Sequence, residues 1–95
     1  MSNHTIGCIA TSMAGHDVEK SYIIIKEEKG FLFLADGEYK TMEKPKKKAK
    51  KHLQINCTYD TGELPEKLLN NKTVYDHEIK RTLKLYHKHI HKSED

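Results

Sequence analysis

From Thr5 to Thr58 the apolar residues fall in short β-branched runs separated by polar or glycine-containing breaks. Thr5-Ile6-Gly7-Cys8-Ile9-Ala10-Thr11 mixes β-branched and small residues, which predicts a first strand packed on both faces. Ser12 to Asp17 reads as a loop, with Gly15 free to take a positive φ. Ser21-Tyr22-Ile23-Ile24-Ile25-Lys26 is the most apolar run and belongs near the centre of a sheet. Glu27 to Gly30 is a polar turn, and Phe31-Leu32-Phe33-Leu34-Ala35 a third strand. Asp36-Gly37 is a two-residue hairpin signal, which makes Glu38-Tyr39-Lys40-Thr41-Met42 the returning strand. Pro45 breaks the pattern and opens a lysine-rich segment expected to be a loop. In His52-Leu53-Gln54-Ile55-Asn56-Cys57-Thr58 the alternation is cleanest, with Leu53, Ile55 and Cys57 on one face of a half-buried strand.

After Gly62 the period changes. Glu63 to Asn70 predicts a short helical turn with Pro65 near its start. Asp76 to about His89 predicts the main helix, with Ile79, Leu83, Tyr86 and Ile90 as its apolar stripe. Asp76 and Glu78 sit at its positive end and Lys88 near its negative end, as the macrodipole favours. Residues 92–95 are expected to fray. Five short strands in so short a stretch suggest a small barrel closed on itself, with no exposed edges. An open meander sheet backed by a helix is the alternative.

The chain has 95 residues, which makes it one domain. Residues 5–58 are expected to form the strand domain and 59–92 a linker and C-terminal helical extension. With 36% hydrophobic and 33% charged residues it can build only a small core under a heavily charged surface. No run reaches the ~18 apolar residues of a membrane span, and Met-Ser-Asn-His-Thr does not open a secretory signal. A soluble cytoplasmic protein is the expectation. Cys8 and Cys57 are then expected to be reduced thiols pointing inward.

The net charge of +3 conceals an uneven distribution. Residues 1–43 sum to −3, while residues 44–52 hold six lysines and no acid. These are Lys44, Lys46, Lys47, Lys48, Lys50 and Lys51, followed by His52. Residues 76–92 add +3. Ammonium groups on flexible stems attract phosphates without reading sequence. The helix face carrying Lys80, Arg81, Lys84 and Lys88 is a second candidate for phosphate contact, or an ordinary solvated face.

The order of features resembles a known family. The stretch from Ile6-Gly7-Cys8-Ile9 through Gly15-His16-Asp17-Val18-Glu19-Lys20 to Ile25 resembles a KOW motif. With Leu34-Ala35-Asp36-Gly37, Glu43-Lys44-Pro45-Lys46-Lys47-Lys48, Lys51-His52-Leu53 and Val74 to Arg81, it is similar to small KOW-domain RNA-binding proteins of Gram-positive bacteria. These are related to a class of large-subunit ribosomal proteins. The resemblance implies a mainly β fold, an SH3-like barrel of about five strands with a C-terminal α-helix. It also implies a non-catalytic RNA-binding function, with ribosomal RNA or the ribosome as partner. The loop after the first strand would contact RNA, here through Gly15, His16 and Lys20. Glu19 stands where the motif usually has glycine, and His16 where relatives often have arginine.

The expected RNA-binding set is therefore Gly15, His16, Lys20, the six lysines of 44–51, His52, Lys80 and Arg81. Among the aromatics, Tyr39 and Tyr59 are the better candidates for stacking on a base, because each lies near a predicted loop. The rival reading is a protein-interaction module whose lysines only solubilise it or meet an acidic partner. His87 and His91 are four apart on the helix, but without a third ligand no metal site is expected. No phosphate-binding Gly-rich loop, GxSxG or HExxH occurs, so neither catalysis nor a cofactor is expected.

Overall fold

The computed structural model describes residues 5–92, with side chains over 5–90. Residues 1–4 and 93–95 lie outside the described residues, so of the fraying expected over 92–95 only Lys92 is described, and it is the last residue of the C-terminal helix. Five antiparallel strands form one sheet: β1 (Ile9–Ser12), β2 (Ser21–Glu28), β3 (Phe31–Ala35), β4 (Lys46–Ala49) and β5 (Leu53–Asn56). Their order across the sheet is β4-β3-β2-β1-β5. Consecutive strands β4 and β5 thus stand at opposite edges, yet only the 3₁₀ turn Lys50–His52 joins them. So short a link requires the sheet to curl until its edges approach. The ladder itself does not close. Two helices follow, α1 (Leu64–Leu69) and α2 (Asp76–Lys92).

Alternation along the strands divides the core in two. Ile9, Ile23 and Ala35 pack with Leu64, Val74, Ile79, Leu83 and Tyr86, so this face of the sheet is covered by the helices. Ala10, Tyr22, Ile24, Leu32 and Leu34 fill the opposite face, with Leu53 and Ile55 packed against them. The expected stripe of α2 is buried at Ile79, Leu83 and Tyr86, but Ile90 remains 40% exposed at the helix end. At the start of α2 the Glu78 carboxylate accepts the Tyr75 backbone N–H (2.9 Å), one half of a capping box. Its other oxygen accepts from Lys67 of α1 (2.8 Å), which ties the two helices together. The Lys67 bond comes first in holding the Glu78 carboxyl below its ordinary value, and the same bond raises the Lys67 ammonium.

Three elements depart from the sequence reading, the first of them β1, which starts at Ile9 and not at Thr5, after a turn at Ile6 and Gly7. Residues 38–42 are not the returning strand. Asp36 Oδ1 accepts the backbone N–H of Glu38 and of Lys40, both at 2.8 Å, and winds the segment into a capped turn. Gly37 takes φ +82° there, where a Cβ would collide with the Asp76 carbonyl and stand 2.8 Å from the Lys80 nitrogen. The turn therefore lies directly against α2, and Asp76 Oδ1 accepts Met42 N–H (2.8 Å) from its far side. The returning strand is the lysine segment itself: Lys46, Lys47, Lys48 and Ala49 pair with Leu34, Phe33, Leu32 and Phe31.

The cysteines also depart from expectation. Cys8 and Cys57 are joined in a disulfide, with Cα atoms 4.8 Å apart. Their placement follows from register. Ile9 pairs with Asn56 in the β1–β5 ladder, so Cys8 and Cys57 are the next opposed pair outward. The bond clamps the open end of that ladder. Cys57 is exposed and lies just beyond β5, rather than pointing into the core.

Candidate nucleic-acid interface

Asp17 organises the basic edge. Its carboxylate belongs to the β1–β2 loop and is only 7% exposed. Ser12 Oγ donates to Oδ1 (2.8 Å) and the Tyr22 hydroxyl to Oδ2 (2.9 Å). Two lysines of β4 complete the set: Lys46 Nζ reaches Oδ2 and Lys48 Nζ reaches Oδ1, each at 2.8 Å. Lys48 also donates to the Ala14 carbonyl (2.7 Å). Burial by itself would raise the Asp17 carboxyl. The hydrogen bonds from Lys46, Lys48, Ser12 and Tyr22 outweigh it and hold the group far below the usual carboxylate range. Burial first, and then the Asp17 charge, push the Tyr22 phenol up, so it stays a donor.

This arrangement follows from strand pairing. Lys46 stands opposite Leu34 and Lys48 opposite Leu32, both on the inner face of the sheet. Their methylene stems lie along that apolar face and their ammonium groups reach its rim, where Asp17 waits. Two of the six lysines are thus internal counterions and fasten the loop after β1 to the β4 edge. Two ammonium groups on one carboxylate leave one positive charge uncompensated.

The other lysines face outward. Lys47 pairs with Glu28 (3.8 Å) and Lys50 with Glu27 (3.6 Å), in exposed geometry worth about 0–1 kcal/mol. Lys44 and Lys51 are exposed, and His52 is exposed beside them. The His52 carbonyl accepts Met13 N–H (2.9 Å), which links the 3₁₀ turn to the β1–β2 loop. Gly15 and His16, at the exposed tip of that loop, are therefore brought next to the lysine segment: a Cβ at Gly15 would sit 3.5 Å from Lys48 Nζ.

Lys20 turns to a different neighbourhood. With Tyr39, Lys80, Lys84 and His87 it lines a groove of about 570 Å³ between α2 and the 36–40 turn. Three acids, Glu19, Asp36 and Glu38, share the groove, and Lys80 pairs with Glu38 (3.3 Å). Arg81 is not part of it. It lines a separate recess with Glu63, Lys67 and Glu78. The expected helix face is thus divided between two sites.

Of the two tyrosines singled out for stacking, Tyr39 is 77% exposed. Tyr59 is already engaged, 5.1 Å edge-on from Tyr86 and 5.2 Å from His89, centroid to centroid. The sequence reading passed over Phe31, which is 42% exposed. Two apolar neighbours of the same strand, Leu32 and Leu34, are fully buried. Strict alternation across Phe31 to Ala35 was the available sign that its phenylalanines share the face opposite to its leucines.

Among the described residues no group of three or more His, Cys, Asp and Glu is placed to hold a metal. None of the described helices is long and apolar enough to cross a membrane. No family model and no curated protein matches the chain.

Glu19 takes φ +73°, a left-handed conformation that costs a side-chain-bearing residue roughly 1–2 kcal/mol. Glycine occupies that region freely but loses more entropy on folding. Glu19→Gly is expected to raise unfolding stability by about 0.5–1 kcal/mol, measured as a higher urea midpoint at unchanged m-value. A lower midpoint would mean that the Glu19 side chain contributes more than its backbone strain removes.

Proposed function

We propose that the chain is a non-catalytic RNA-binding module, an SH3-like barrel of KOW type left open along one seam, that docks on structured RNA and foremost on ribosomal RNA. The observation that carries this reading is the bracing of the loop after β1 against the lysine strand through Asp17, Lys46 and Lys48. It holds Gly15 beside Lys48, next to the strand that carries Lys47 and leads on to Lys50, Lys51 and His52. The strand order and the single 3₁₀ turn linking the two edges support the barrel comparison. So does Glu19, whose left-handed backbone falls where the KOW motif usually carries glycine.

Phosphate affinity comes from the outward lysines, because Lys46 and Lys48 are occupied. Four such contacts on single-stranded RNA correspond to a salt slope of about −3, from ~0.7 per contact. The exposed pairs with Glu27 and Glu28 are weak enough to exchange for phosphate. This reading carries a cytoplasmic location with it. Thiol pools there keep most cysteines reduced, and the Cys8–Cys57 bond stands against that default. Binding is therefore measured on both the oxidised and the reduced protein.

The test changes Lys44, Lys47, Lys50 and Lys51 together to Gln and leaves Lys46 and Lys48 in place, so that Asp17 keeps its counterions. RNA affinity is followed from low to physiological ionic strength. The wild type should show the slope above, and the variant weaker binding with a much flatter slope. Equal affinity and equal slope for the two proteins would remove the lysine segment from the function.

A further inference from the structure

We infer that the end of the sheet which the helices leave uncovered is a base-stacking platform for single-stranded RNA, with Phe31 as its stacking ring. The inference rests on the RNA-binding reading and narrows its substrate to RNA with unpaired bases.

The platform begins at a bulge. Ile24 pairs with Leu34 but Lys26 pairs with Phe33, so β2 carries one extra residue at Ile25. The extra residue resets the alternation. Lys26 then stands beside Phe33 on the face that Ile23 and Ala35 occupy further along. At Ile23 and Ala35 this face is covered by α1 and α2. Beyond the bulge it continues as the cross-strand rows Lys26-Phe33-Lys47 and Glu28-Phe31-Ala49. Phe31 is 42% exposed there. Beside it lies an open recess of about 490 Å³ bounded by residues 29–31 and 49–51.

Charge selects the occupant. Lys26 and Lys47 lie over the two rings and Lys29, Lys50 and Lys51 border the recess at Phe31, against Glu27 and Glu28, which pair with Lys50 and Lys47. Lys47 Nζ lies 4.9 Å from the Phe31 centroid and 5.7 Å from that of Phe33, and Lys26 Nζ lies 5.4 Å from Phe33. Cations over exposed rings are weakly held, so Lys47 can swing to a phosphate as a base takes its place on Phe31. An aromatic ring inside a net-positive border is the combination that binds single strands: stacking accepts any base, and the lysines follow the backbone. A duplex hides its base faces within the stack and can use only the lysines. The lysines on β4 also disfavour pairing of a further strand along this edge.

The experiment uses the full chain, a single-stranded oligouridylate and an RNA duplex of the same length. Phe31→Leu keeps an apolar side chain but removes the ring, and should weaken oligouridylate binding by about 5- to 100-fold while leaving duplex binding unchanged. The chain contains no tryptophan, so Phe31→Trp creates a single tryptophan reporter that can be excited apart from the tyrosines. Its emission should be quenched by oligouridylate and not by the duplex. If Phe31→Leu does not fold, the tryptophan variant decides. Undiminished oligouridylate binding by Phe31→Leu, an equal loss for both RNAs, or an unquenched Phe31→Trp that still binds would each overturn the platform. The RNA-binding reading would survive these outcomes provided the four-lysine variant loses affinity. A wild type that binds neither RNA removes both.

Discussion

Asp17→Asn should lower the unfolding free energy by about 3–5 kcal/mol, the range for removing one partner of a buried ion pair. Asparagine has nearly the same shape, but Ser12 and Tyr22 donate to different carboxylate oxygens, and its single amide oxygen can take the place of only one of them. It carries no charge, so Lys48 (12% exposed) and Lys46 (30% exposed) would be left near the sheet rim without a counterion. The loop after β1 and the β4 edge would separate together, because the same carboxylate holds both. Changing Lys46 and Lys48 to Met in the Asp17→Asn background should restore much of the loss, since no stranded charge then remains. Chemical denaturation of the three proteins measures this. A loss below about 1 kcal/mol for Asp17→Asn, the scale of an exposed pair, would show that water screens the cluster and that it does not brace the edge.

The same carboxylate sets an acid limit on stability. Its folded value lies below its unfolded one, so the unfolded chain takes up the proton first. The contribution of Asp17 is therefore full at neutral pH. It begins to fall as the pH approaches the unfolded value of about 3.9, and it is lost progressively as the pH drops towards the folded value. Asp17→Asn should flatten this acid limb and leave the slope between pH 6 and 8 about unchanged. A wild-type and variant pair with parallel acid limbs would contradict the assignment.

Reduction of the Cys8–Cys57 bond should have an effect of similar size. The cysteines are 49 positions apart, and releasing a loop of that length returns roughly 4 kcal/mol of chain entropy to the unfolded state at 25 °C. In a domain this small that corresponds to a fall in Tm of about 15–30 °C. The double variant Cys8→Ser, Cys57→Ser should melt like the reduced wild type and ignore added reductant. Alkylation followed by mass measurement, without prior reduction, should find no free thiol among the described residues. Two alkylated cysteines in the native protein would refute the pairing.

Residue order went far towards the fold where the information was local. The runs at 21–26 and 31–35, the alternation at 53–57 and the 79-83-86 stripe each became the expected strand or helix. Each side chain there faces a neighbour set by the period of its own element. The reading failed at 38–49 for a physical reason. Asp-Gly is a hairpin signal only when two strands pair across it, and here Asp36 caps a wider turn held against α2. Three successive lysines, in turn, look like a solvated loop because charge masks the alternation beneath it. Lys46 and Lys48 point inward on long apolar stems, and Lys47 points outward over Phe31.

The basic segment and the glycine-bearing loop after β1 were therefore within reach of the one-dimensional chain. Folding decided which of the lysines remain available. Asp17 lies 31 positions from Lys48, and no spacing rule links a loop carboxylate to the ammonium groups of a later strand. Folding likewise joined Cys8 to Cys57, through the register of β1 against β5. It also left Phe31 42% exposed, on the part of the sheet beyond the bulge. All three outcomes depend on how distant segments align, and that alignment arises only when strands pair and helices dock.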